Sequence, residues 1–125
     1  KYYKMNIKQF IVSGVIFLMI DSIYLTSISG FFNKVVKRVQ GEKIQMNLVG
    51  AGLAYLFLTY GLNYFILDQK KSLYEAFLFG FIMYGVYETT NYAILKNWSP
   101  LAVFIDTVWG GIVYMLSTYV TRMVL

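Results

Sequence analysis

The sequence predicts an all-α membrane protein: an antiparallel bundle of four transmembrane helices with a short amphipathic interfacial helix between the first and second. Three observations predict it. Of 125 residues, 58% are hydrophobic and 19% aromatic but only 14% charged, against about 25% charged in an ordinary soluble domain. Apolar windows at 7–28, 46–67, 73–95 and 101–120 each reach the roughly 20 residues that a helix needs to cross a bilayer core. The connections between them contain no Gly-, Ser- or Pro-rich linker, so residues 1–125 read as a single transmembrane domain.

The first window is too long, and too polar at its far end, for a signal peptide, and reads as a retained helix. Beyond it, Phe31, Phe32, Val35, Val36 and Val39 alternate at helical spacing with Lys34, Lys37 and Arg38. A helix with one apolar and one basic face suits the membrane interface, so an interfacial helix is expected over 31–40, capped by Gly41. It serves either as a plain connector or to capture anionic headgroups. The second window carries Gly50, Ala51, Gly52, Ala54 and Gly61 and no charge. Small residues let helices approach closely in lipid, which predicts a central position.

The loop Asp68-Gln69-Lys70-Lys71-Ser72 leads into the third helix with Ser72 as N-cap and Glu75 completing a capping box. The loop before the fourth helix holds Trp98, suited to the interface, then Ser99 as N-cap and Pro100 at the first helical position. The third and fourth helices therefore form a tight antiparallel hairpin.

The chain has no cysteine and no histidine. Disulfides, thiolate nucleophiles, the usual zinc sites, haem ligation and a Ser-His triad are all excluded, and no cofactor is expected. The net charge of +5 does not point to nucleic acid, because the basic residues flank the apolar windows and read as headgroup anchors. The expected partners are membrane lipids and, as a further class, other membrane or assembly proteins. Lys1, Lys4, Lys8, Lys70, Lys71 and Arg122 fall on the side of the termini, and Lys34, Lys37, Arg38, Lys43 and Lys96 on the other. So even a balance gives the positive-inside rule little to act on; the cluster before the first helix favours termini on the cytoplasmic or inner side.

Asp21, Glu88 and Asp106 lie inside apolar windows. Counted from the nearest loops, all three sit roughly 10 Å below one membrane face, the face that carries the basic segment and Trp98. A donor follows each acid three residues later on the same helical face: Tyr24, Asn91 and Trp109. A charge at such depth costs at least ~2.5 kcal/mol on insertion scales, so each acid must be protonated, paired, hydrated or cation-bound. Three readings stay open. The acids are neutral and hydrogen-bonded to Tyr24, Asn91, Trp109 and one another; or Asp21, Glu88 and Asp106 hold a hard cation with the Asn91 carbonyl; or the layer receives a lipid headgroup or passes a proton. In the headgroup case Lys34, Lys37, Arg38, Lys96 and Trp98 would contact the lipid from above.

The segment Ile20-Asp21-Ser22-Ile23-Tyr24 resembles Ile105-Asp106-Thr107-Val108-Trp109, on helices that run in opposite directions. Together with Tyr87-Glu88-Thr89-Thr90-Asn91, Trp98 and Asp106-Thr107-Val108-Trp109-Gly110, these motifs resemble domain-of-unknown-function family 2177, small membrane proteins of bacteria and large DNA viruses. The family pattern places Asp where this chain has Glu88, and often Trp where it has Tyr24. The resemblance implies a four-helix topology and singles out the same acids, but it implies no reaction.

Two function classes follow. One is a membrane binding module or enzyme whose acidic layer handles a headgroup, cation or proton; without His or Cys its chemistry would be that of carboxylates or metal-carboxylates, and the balance leans away from an enzyme. The other is a structural membrane component of a larger assembly, such as the internal membrane of a virus particle, with the acids as interhelical contacts. Four helices of this length hardly enclose a transport path alone, so transport would need an oligomer.

Overall fold

The computed structural model describes residues 4–125; Lys1, counted above with the terminal side, lies outside the described residues. Four helices form: α1 (Ile7–Gln40), α2 (Leu48–Gly61, followed by a π-helical segment Leu62–Leu67), α3 (Leu73–Ile94) and α4 (Pro100–Val124). The starts of α3 and α4 follow the caps read from the sequence, whereas α1 and α2 are capped by Asn6 and Asn47, which the sequence reading does not single out. Ser72 and Glu75 form the reciprocal capping box of α3, and the Ser99 hydroxyl accepts from the Ala102 N–H with Pro100 in the first turn of α4.

The separate interfacial helix expected over 31–40 does not form, because α1 continues unbroken through that segment. Its only potential breaker is Gly30, which costs about 1 kcal/mol relative to Ala and cannot end a helix alone. Ser22 and Ser27 meanwhile satisfy their hydroxyls on carbonyls one turn back. The stop comes at Gly41, whose φ of 83° is left-handed and whose N–H bonds the Lys37 carbonyl at 2.8 Å. At 34 residues, α1 is roughly 50 Å long, well beyond the ~30 Å hydrocarbon layer. Lys34, Lys37 and Arg38 sit exposed on this extension.

The π segment has a local cause. The Asn63 side chain donates to the Thr59 carbonyl at 2.8 Å, taking the acceptor that the Asn63 backbone would use. The ladder then steps to five-residue spacing, seen in the Asp68 N–H bond to the Asn63 carbonyl at 2.8 Å. Such wide turns arise where a side chain enters the ladder.

Helices α3 and α4 pack antiparallel at close range. Gly80 faces Gly110, where a Cβ on Gly80 would overlap the Gly110 carbonyl oxygen, and Phe77 covers Gly111. On the other side α1 runs along α4 and α2. Phe17, Leu62, Val113 and Tyr114 fill the middle, with the Phe17 and Tyr114 rings edge-to-face at 5.3 Å. On α1 the pattern is inverted relative to a soluble helix: Ser13, Phe17 and Asp21 are buried, while Ile11, Val15, Met19 and Ile23 face outward. An apolar outer stripe over a polar inner one fits lipid as the solvent. Among the described residues three helical segments are long and apolar enough to cross a membrane: Ile7–Gln40, Leu48–Leu67 and Pro100–Val124. Helix α3 does not join them by composition; it carries Tyr74, Glu75, Tyr84, Tyr87, Glu88 and Asn91.

Candidate functional site

Each helix contributes to one polar layer. From α1 come Asp21 and Tyr24, from α2 Tyr55, from α3 Glu88 and Asn91, and from α4 Asp106 and Trp109. Asp21 and Glu88 are almost fully buried, at 7% and 2% exposure, and Asp106 is half-buried.

Asp21 accepts with both oxygens. The Trp109 indole N–H donates to its Oδ1 at 2.8 Å and the Tyr55 hydroxyl to its Oδ2. Asp106 accepts from the Tyr24 hydroxyl at 3.1 Å on Oδ1. Glu88 accepts from the Trp98 indole N–H at 2.9 Å on Oε1, and its carboxyl lies beside the Asn91 side chain and the Asp106 carboxyl. The helices hold these groups at one level because α1 and α4 run antiparallel in a fixed register: Asp21 meets Trp109 just as Tyr24 meets Asp106.

The structure brings together all six residues of the polar layer read from the sequence, but pairs them differently. Tyr24 serves Asp106 rather than Asp21, and Trp109 serves Asp21 rather than Asp106. Only Asn91 bonds the acid of its own helix. A phenol or indole carries its donor at the far end of a rigid ring, so it reaches across the seam rather than back along its own helix. The similar segments around Asp21 and Asp106 are thus reciprocal partners, each donating to the other, as in an isologous contact.

Two participants were not found from the sequence as part of the layer. Tyr55 lies in an apolar window with no motif around it. Trp98, which its loop position suits to a headgroup contact, turns its N–H inward to Glu88 instead; ten residues and a loop separate the two, so no helical spacing links them. Lys34, Lys37, Arg38 and Lys96 are exposed, and among the described residues no ion pair involves Asp21, Glu88 or Asp106.

The geometry gives no support to Asp21, Glu88 and Asp106 as joint ligands of one cation. Among the described residues no three acids are grouped so that they could hold one ion. Asp21 is drawn towards Tyr55 and Trp109, while Glu88 and Asp106 face each other. What remains chemically is a carboxyl pair beside a third carboxyl that accepts from two neutral donors.

No curated protein and no solved structure matches the chain. A family model described as "Predicted membrane protein (DUF2177)" matches residues 6–123, which spans the four helices and every residue of the polar layer. The chain belongs to that family of membrane proteins.

Proposed function

We propose that this is a polytopic membrane protein, with α3 crossing the bilayer beside α4, whose Glu88–Asp106 carboxyl pair binds and releases a proton. The observation that carries this reading is the contact between the two carboxyls. Two adjacent buried carboxyls cannot both ionise cheaply, which favours one of them holding a proton, and among the described residues no lysine or arginine pairs with either. Neutral donors surround the pair instead, which lowers the cost of one buried charge without fixing a counter-ion. A larger cation would have to displace Trp98 and Tyr24 to reach the same oxygens, whereas a proton need not. The exposed Lys34, Lys37, Arg38 and Lys96 serve as headgroup contacts in this reading.

The test is infrared difference spectroscopy on protein reconstituted in lipid. A band from a protonated carboxyl is expected, shifted in deuterium oxide, lost in Glu88→Gln or Asp106→Asn, and retained in Asp21→Asn. Absence of such a band in the unsubstituted protein would sink the proposal.

A second reading is favoured by the crossed bonds of Tyr24 and Trp109, which are spent between α1 and α4: the acids are structural clasps in a component of a larger assembly. If this alone is their role, Asp106→Asn and Glu88→Gln will alter assembly or thermal stability without any titrating carboxyl signal.

A further inference from the structure

The α1–α4 register continues below the carboxyl layer. Stepping down α1 by three or four residues from Tyr24 gives Asp21, Phe17, Ser13 and Gln9; the same steps along α4 from Asp106 give Trp109, Val113 or Tyr114, Ser117 and Thr121. The first three levels are observed contacts: Tyr24 with Asp106, Asp21 with Trp109, and Phe17 with Tyr114. Ser117 therefore lies level with Ser13, and Thr121 with Gln9.

These two lower levels are polar, and all of their residues but the half-buried Gln9 are buried. Ser13, Ser117 and Thr121 are 0–1% exposed. Ser13 accepts from the Asn63 amide at 2.9 Å, and Asn63 in turn accepts from Gln9 at 2.9 Å. Helical hydroxyls ordinarily satisfy themselves on the carbonyl one turn back, as Thr118 does on Tyr114. The Ser117 Oγ and Thr121 Oγ1 atoms do not, and among the described residues neither has a partner. Buried polar groups of this kind take internal water. One level above them stands Phe17, fully buried and held edge-to-face by Tyr55 and Tyr114. Phe17 is the only level of the stripe on α1 that offers no hydrogen-bonding group, and it lies one turn, roughly 6 Å, from Asp21 on one side and from Ser13 on the other.

We propose that Ser13, Ser117 and Thr121, with Gln9 and Asn63, hold a file of internal water that brings protons from the terminal end of the bundle up to Phe17, which closes the route to Asp21. A file of water inside one helix seam needs no pore, so four helices suffice. The proposal rests on the proton-binding reading above and adds the route and its barrier. The titratable groups around Asp21 are Tyr24 on its own helix, Tyr55 on α2, Tyr84 on α3 and Asp106 on α4, with Glu88 beyond Asp106. All are neutral or anionic, so a proton that passes Phe17 meets acceptors and no repelling cation.

Proteoliposomes loaded with the pH dye pyranine, with the membrane potential clamped by potassium and valinomycin, test the route after an external pH step. The unsubstituted protein and Phe17→Leu, which keeps the level apolar, are expected to remain tight. Phe17→Ala opens the barrier and raises proton flux several-fold, and adding Ser117→Ala with Thr121→Val returns the flux towards the unsubstituted level. A tight Phe17→Ala overturns the proposal, as does a leak equal in Phe17→Leu or indifferent to loss of the two hydroxyls, the last being what a misfolded protein would give. The infrared carboxyl band is independent of Phe17, so its presence with no added flux in Phe17→Ala would overturn the route alone, and its absence would overturn the proton site itself.

Discussion

Tyr24 and Trp109 stack face to face, with ring centroids 4.4 Å apart and planes 4° from parallel, while each donates its hydrogen bond to the acid on the other's helix. The stack and the crossed bonds form one clasp between α1 and α4. Breaking either bond leaves a buried carboxylate oxygen short of a donor, at a cost of about 1–3 kcal/mol. Tyr24→Phe and Trp109→Phe are each expected to lower thermal stability in detergent. Because the rings share the stack, the double variant should lose less than the two single losses combined, and strict additivity would count against the clasp.

The α3–α4 seam depends on missing side chains. A Cβ on Gly111 would lie 2.7 Å from the Phe77 ring, and one on Gly80 would overlap the Gly110 backbone, whereas one on Gly52 meets nothing within 4 Å. Gly80→Ala should therefore destabilise by about 1–3 kcal/mol through overpacking, and Gly52→Ala should be neutral or stabilising. Paired unfolding curves in one detergent separate the two outcomes.

Asn63 holds the π segment by bonding Ser13, the Thr59 carbonyl and Gln9 at once. Intramembrane hydrogen bonds average about 0.6 kcal/mol each, so Asn63→Ala should cost on the order of 2 kcal/mol in total if the three contributions add. The backbone carbonyl of Thr59, once released, favours an ordinary α-turn. Increased hydrogen exchange confined to 59–68 would be the signature of the lost anchor, and unchanged exchange there would refute it.

The last two turns of α1 present Lys37 and Arg38 near the C-terminal end of the helix, with Lys34 one turn before. Attraction to an anionic lipid surface is worth about 1 kcal/mol per basic residue. Replacing Lys34, Lys37 and Arg38 by Ala together should reduce the anionic lipid that co-purifies, measured by mass spectrometry, and leave helix content unchanged. Equal lipid retention would remove the headgroup role from this extension.

Helix positions and caps were readable in advance because they are local. Ser72 with Glu75, Ser99 with Pro100, and Gly41 each act within one turn, and the structure uses all three as their chemistry dictates. The acids' closeness in height was readable to within a turn, since rise per residue converts a residue count into height. The break expected before Phe31 was not there, because amphipathic spacing shows which face a segment presents but not where the axis bends.

The sequence by itself determined an apolar, helical membrane chain with three acids within about one turn of a common height, because hydropathy and helical rise are properties of short stretches. Only the tertiary structure decided which donor serves which acid, that Glu88 and Asp106 meet while Asp21 stands apart, and that Tyr55 and Trp98 belong to the layer. The physical reason is reach: a long aromatic side chain finds its partner across an antiparallel seam whose register is set by Phe17 and Tyr114, neither of which lies within the motifs that it aligns.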